Sequence, residues 1–278
     1  MILTYGFDFF SMRIILLFFA SIIILVGCHD GNSPTLQTGA VTWPDSISWW
    51  KANNLRVMQT NLPAYEGSLN PDSLVSDLQS FSANVLIINA GGIMAFYPTE
   101  VENHYVNPYM KPTMLQDVVK KCHDAGIRVI VRFDFSRAHK SVFEKHPDWF
   151  YISPEGERII NDDMYVVSIN APYEQDYLFR IVDEVIQKFP VDGIFINMPG
   201  YQVRNPYVDK YHGIDQNSYD KERFRNFSGL SLPVKEDFGD PVFRRYVEFK
   251  EHTTEDLMHR LHDLVKKRSP NIAICTYS

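Results

Sequence analysis

The stretch RVIVRFDFS, residues 128–136, decides the fold. Val129, Ile130 and Val131 form a β-branched apolar run, and Arg132, Asp134, Ser136, Arg137 and His139 crowd its C-terminal end. Such a run reads as a strand covered on both faces, and a polar carboxyl end is how parallel α/β barrels present chemistry. The residues just upstream agree. Thr113 caps a helix that runs to Ala125, and Gly126 stops it, glycine being the residue that most easily takes the left-handed conformation closing a helix.

Outward from this stretch the unit repeats. Residues 55–62 are a first strand candidate that ends near Asn61. Asn70 and Pro71 open a helix as N-cap and first helical residue, with Leu74, Leu78 and Phe81 on its apolar face. Residues 84–92 are a second buried strand and its turn. The loop 93–112 carries Phe96, Tyr97, Glu100, His104, Tyr105 and Tyr109. Loops of this length are functional or disordered, and the aromatic content argues against disorder. After the opening stretch, residues 148–150 and 154–157 read as a loop with a turn, and Asp162 and Asp163 as a solvated turn. Residues 172–189 are an amphipathic helix, 191–200 a fourth strand, and 201–233 a second long polar loop with a short helix near 220–227. Residues 240–267 form a long helix whose basic end, Lys266, Lys267 and Arg268, suits its dipole; 270–278 form a fifth strand.

Strand–helix alternation means a parallel sheet with right-handed crossovers. Loops after strands are long and loops after helices run two or three residues, which marks the carboxyl-end face as the functional one. A closed (β/α)8 TIM-type barrel needs eight strands. The expected fold is therefore an α/β barrel of that type over residues 43–278, truncated after about five strands.

Residues 14–26 are apolar apart from Ser21. That is short for a bilayer, which takes roughly 20 residues, and right for a signal-peptide core. Leu25, Val26, Gly27 and Cys28 look like a bacterial lipobox. Residues 1–27 are thus expected to be a lipoprotein signal peptide with Cys28 as the lipid attachment site, an uncleaved anchor being the alternative. Residues 28–42 have linker composition, and residues 43–50 read as a short helix under the barrel. The domain is expected in the bacterial cell envelope outside the cytoplasm, at the surface or in the periplasm. Cys122 and Cys275 read as buried free thiols, with no Cys-x-x-Cys metal spacing.

The formal charge of −7 argues against a nucleic-acid partner. An uncharged sugar fits better. The aromatic content of 14% suits sugar stacking or a ring-rich core.

Four segments carry a family resemblance: NAGGIMAFYP at 89–98, RFDFSRAH at 132–139, HPDWF at 146–150 and DGIFINMPGY at 192–201. In this order they resemble the hypothetical glycosyl hydrolase 6 family over about residues 55–230. The resemblance implies an α-amylase-like or clan A-like barrel acting on an oligo- or polysaccharide. Relatives often continue into a β-galactosidase-like trimerisation domain, which would make a homo-oligomer through a C-terminal region outside this sequence. They also often carry a cysteine pair after a His-Gly-Ile segment. Here His212, Gly213 and Ile214 lead into Asp215 and Asp220 with no cysteine, so neither metal nor cofactor is expected.

Glycoside hydrolysis usually needs two carboxyl groups. Asp134 is the first candidate, at a strand's carboxyl end; it reads equally as an Arg-paired loop organiser. Glu100 could reach over the site as an acid or be a solvated loop charge. Asn197 closes the fourth strand where related barrels place a nucleophilic Asp or an Asn followed by Glu; here Met198 follows. Asn197 can bind a hydroxyl but cannot attack an anomeric carbon. Asn89, Arg132, His139, Tyr201, Arg204 and His212 are the remaining sugar-contact candidates, with His139 also readable as a helix N-terminal residue. Gly91 and Gly92 make a turn, and no phosphate-loop or nucleophilic-serine motif occurs. Three hypotheses follow: a glycoside hydrolase using carboxylate acid/base chemistry, a non-catalytic glycan-binding barrel, and an inactive truncated fragment.

Overall fold

Five parallel strands pair in the order in which the chain makes them. The computed structural model describes residues 49–161, 163–205 and 209–277; the expected signal peptide, Cys28, the linker and Asp162 lie outside them. In chain order the elements are β1 (Val57–Gln59), α1 (Pro71–Ser80), β2 (Val85–Gly92), α2 (Met114–Asp124), β3 (Arg128–Asp134), β4 (Arg137–His139) and α3 (Lys140–Lys145). There follow β5 (Ile160–Asn161), β6 (Met164–Val166), α4 (Leu178–Lys188), β7 (Gly193–Asn197), β8 (Arg204–Asn205), β9 (Lys210–Tyr211), α5 (Ser218–Ser228), α6 (Pro241–Arg268) and β10 (Ala273–Thr276). The main sheet runs β1-β2-β3-β7-β10, parallel throughout. Each crossover adds a strand on the same side. That is the winding of a barrel; a doubly wound open sheet reverses its order part-way. Among the described residues the sheet stops at five strands, and Val57 and Met58 on its β1 edge are 47% and 38% exposed.

The helices begin and end where local chemistry dictates. Asn70 accepts from the backbone of Asp72 and Ser73 and opens α1; Asp240 does the same for α6 through Val242. Thr113 differs: its hydroxyl donates to Asp117 instead of capping the backbone. Gly126 takes a φ of 72° after α2, as expected. The connections back into strands, residues 81–84, 125–127, 189–192 and 269–272, are slightly longer than expected but remain tight.

Alternation along the strands sorts two faces. Leu86, Ile88, Val129, Val131, Phe133, Ile194 and Ile196 face the helices and join α2, α4 and α6 in the main core. On the other face Val85, Ile87, Ile130, Phe195 and Ala273 make a second cluster, closed by Trp49. Trp49 belongs to the turn Trp49–Lys51 and donates to the carbonyl of Asp192; of the short helix expected over residues 43–50, residues 43–48 lie outside the described residues. The same end is tied by Asp192, which takes hydrogen bonds from Arg128 at 2.6 Å, from His123 at 2.8 Å and from the Val129 amide at 2.8 Å.

Two features of the loops depart from expectation. The segment after β3 is not plain loop but a small antiparallel sheet, β4-β6-β5, and β8 and β9 form a hairpin in the second long loop. Strands of two or three residues are too short to show a period, so alternation cannot reveal them.

Candidate functional site

Register brings the polar strand ends together. Asn89 lies beside Arg132, and Asp134 lies beside Asn197, in neighbouring strands. The shift in pairing between Asn89 and Gly91 inserts one extra residue, and Gly92 draws level with Asp134. Gly92 has a φ of 96°, and a Cβ there would stand 2.1 Å from the Asp134 carbonyl oxygen. Only glycine allows β2 to approach so closely.

The turn is pinned from behind. The Gly92 amide donates to His104 Nε2 at 3.2 Å, and Tyr173 donates to the Gly92 carbonyl at 2.8 Å. Burial pushes His104 down to about 3. It is therefore neutral, and with Nε2 accepting, its proton sits on Nδ1, which faces Thr99 Oγ1.

Asp134 is 6% exposed and accepts four hydrogen bonds. They come from Ser136 Oγ at 2.6 Å, the Ser136 amide at 3.1 Å, Asn197 Nδ2 at 2.7 Å and Arg132 Nη2 at 3.3 Å. Asn89 Oδ1 accepts from the Leu62 amide at 3.0 Å, which leaves its Nδ2 as a donor. Asn197 keeps Oδ1 as an acceptor. These side chains open into one cleft of about 380 Å³, with Arg137 on the rim and Leu62, Met94, Phe96, Met164 and Met198 as apolar walls. Its size and mixed lining are those of a small-molecule site.

Residues 70–198 match the family model described as hypothetical glycosyl hydrolase 6. No curated protein matches the chain. Among solved structures it is similar to α-L-fucosidase isoenzyme 2 from Paenibacillus thiaminolyticus, at 14% identity and a TM-score of 0.61, covering 80% of this chain and 32% of the fucosidase. It is also similar to a β-galactosidase from Bacillus circulans sp. alkalophilus, at 12% identity and a TM-score of 0.55, covering 80% of this chain and 36% of that one. A hypothetical protein from Ruminiclostridium thermocellum aligns over 96% of its own length at 14% identity and a TM-score of 0.50. These likenesses establish the fold: a curled parallel sheet with helices, as in glycosidase-type α/β barrels. The chain spans about a third of the length of the fucosidase and the β-galactosidase.

Of the residues singled out from sequence, Asn89, Arg132, Asp134 and Asn197 share the cleft. The others are elsewhere. Glu100 is a rim residue of the helix layer: its amide donates to Glu184 and its carboxylate pairs with Lys188. Glu184 also takes Tyr97 and Thr99, both at 2.6 Å, and these bonds outweigh its burial and hold its carboxyl low. Residues 97–100 are thereby strapped to α4, which keeps Glu100 out of the cleft, while Met94 and Phe96 at the start of the same loop help to wall it. His139 accepts from the Ser141 amide as the N-cap of α3 and stacks on Tyr105. Tyr201 packs against Tyr246 and accepts from Asn170. Arg204 pairs with Asp209 on the surface. His212 faces a different hollow, with Arg158, Lys210 and Tyr211.

Asp215 and Asp220 are buried acceptors. Asp220 holds Ser168 at 2.6 Å and Asn170 at 2.8 Å; Asp215 holds the amides of Ile152 and Asn217. Burial pushes Asp215 up to about 6 and holds Asp220 well above the usual carboxylate range. Among the described residues no group of three His, Cys, Asp or Glu side chains could hold a metal. The residue that sequence reading passed over is Glu174, buried in the turn Tyr173–Tyr177. Its only signal was a carboxyl at the start of an apolar helix face.

Proposed function

We propose that the chain is a glycoside hydrolase domain that takes an oligo- or polysaccharide at the carboxyl ends of its strands. The observation that carries this reading is the meeting of Asn89, Arg132, Asp134 and Asn197 in one cleft. The family match over residues 70–198 supports it. In this reading Asp134 is the reacting carboxylate. Arg132 and Ser136 aim it, Asn89 donates to one sugar hydroxyl, and Asn197 accepts from another. Glu100 has no part in that arrangement as it stands. Hydrolysis of a panel of aryl glycosides and oligosaccharides tests it: Asp134→Asn should lose turnover and keep a native melting curve. Unchanged turnover would remove Asp134 from the chemistry.

A second reading, a glycan-binding barrel without turnover, is favoured by Asn197. It fills the place beside Asp134 with an amide, so Asp134 is the one carboxylate lining the cleft among the described residues. Glycan binding with no release of reducing sugar would select it. The third hypothesis, a fragment that cannot fold alone, is tested by cooperative thermal unfolding of the soluble chain. We extend the proposal to a lipid anchor at Cys28 in the cell envelope; incorporation of labelled fatty acid that survives Cys28→Ala would exclude that attachment site.

A further inference from the structure

Glu174 lies in the turn Tyr173–Tyr177, a π-helical start to the helix that continues as α4. Such turns are frequent at functional sites. Gln175, its neighbour, is held by Arg260, and Tyr173 by the Gly92 carbonyl, so the turn is fixed on both sides. Glu174 is 3% exposed. Among the described residues its carboxyl makes no hydrogen bond. It faces a nearly enclosed chamber walled by Phe135, Leu178, Ile196, Leu257 and Leu261.

The polar members of that chamber are Ser136 and Asn197, the two side chains that grip Asp134 from behind. The chamber measures about 10 Å³, which is room for a single water with polar partners. A water held there would share the chamber with the Glu174 carboxyl and with Ser136, whose hydroxyl donates to Asp134 Oδ1.

We propose that Glu174 is a proton-holding positioning residue, joined to Asp134 through one water and the Ser136 hydroxyl. This rests on the reading of Asp134 as the reacting carboxylate. The transfer balances hop by hop. Glu174 gives its proton to the water oxygen, the water gives one of its own to Ser136 Oγ, and Ser136 gives its original hydroxyl proton to Asp134. Each broken O–H bond leaves its electron pair on its oxygen and is replaced by one formed, so the charge moves from Asp134 to Glu174. The reverse sequence restores the start. The two carboxyls hold one proton between them, and Asp134 can act as an acid as well as a base.

The surroundings agree. Burial, and then the charges of Asp134 from β3 and Asp220 from α5, push the Glu174 carboxyl well above the usual range. From α6 only Leu257, Met258 and Leu261 face it, and no lysine or arginine lines the chamber.

Infrared difference spectra of the full chain across a pH titration test the proposal without any substrate. At neutral pH the wild type should show a protonated-carboxyl band that Glu174→Gln removes; whatever Asp215 and Asp220, the other buried acids that burial raises, contribute remains in both. Asp134→Asn should lower the pH at which the band is lost by about one unit, because a facing charge is gone. A Glu174→Gln spectrum that has lost none of the wild-type carboxyl absorption, or a midpoint unmoved by Asp134→Asn, overturns the proposal. On a glycoside that the wild type hydrolyses, Glu174→Gln should move the basic limb of the pH–rate profile while KM holds; an unmoved profile overturns it too. If the wild type hydrolyses no glycoside, the glycosidase reading fails and the infrared result still decides the proposal.

Discussion

Asn197 donates to Asp134 at 2.7 Å across the β3–β7 pair, where the two are register partners. The amide stands where a second carboxylate would meet the first at hydrogen-bond distance. Asn197→Asp should therefore create a pair that must share a proton. The folded state then binds a proton more tightly than the unfolded chain, so stability is kept in acid and lost as pH rises. Thermal melts should show the variant near wild type at pH 4 and lower by about 1–3 kcal/mol at pH 8.

Arg137 rims the cleft, and among the described residues its guanidinium has no protein partner. Arg137→Gln should leave stability within about 0.5 kcal/mol. A glycan that uses this donor should bind about tenfold more weakly, a difference of about 1.4 kcal/mol by calorimetry.

At the opposite end of the sheet, burial raises the Asp192 carboxyl, but the hydrogen bonds from His123, Val129 and Arg128 outweigh it and leave the group low. A lowered carboxyl stabilises the fold above its unfolded value, near 4, and that contribution disappears as pH falls through the folded value. Asp192→Asn should cost about 2 kcal/mol at neutral pH, and the gap from wild type should close in acid. Urea denaturation at several pH values reads both.

Gly92→Ala asks for a Cβ 2.1 Å from the Asp134 carbonyl oxygen and 2.7 Å from its amide nitrogen. Backbone cannot yield as a side chain can. The cost should exceed about 3 kcal/mol, and whatever folds should have lost the Asp134–Asn197 bond. Denaturant midpoints and amide exchange at Asp134 follow the two effects.

The parallel layout was legible because its signals are long. Val85 to Ile88 and Val129 to Val131 are unbroken apolar runs, and Asn70, Pro71, Gly126 and Asp240 punctuate the helices by local chemistry. The four strand-end residues could be found for the same reason: position along a strand fixes the rim. Residues in the loops were not so constrained. Nothing in the spacing of Glu100 says that Glu184 will pull its loop outward, and His139 is equally well written as a cap. Tyr201, Arg204 and His212 follow β7 in sequence, yet β8 and β9 carry the latter two away from the cleft. Glu174 was hidden by its neighbours, since Tyr173 and Leu178 make the segment read as ordinary amphipathic helix.

The extra residue in β2 has one more consequence. It changes the parity of the strand: up to Asn89 the residues run in step with β3, and beyond it the count is off by one. Anyone grafting a new ligand contact onto this wall must renumber at Ala90. Deleting Ala90 would erase that offset: Asn89, Gly91 and Gly92 would face Arg132, Phe133 and Asp134 in unbroken step, and the core would lose the one methyl that Ala90 contributes there.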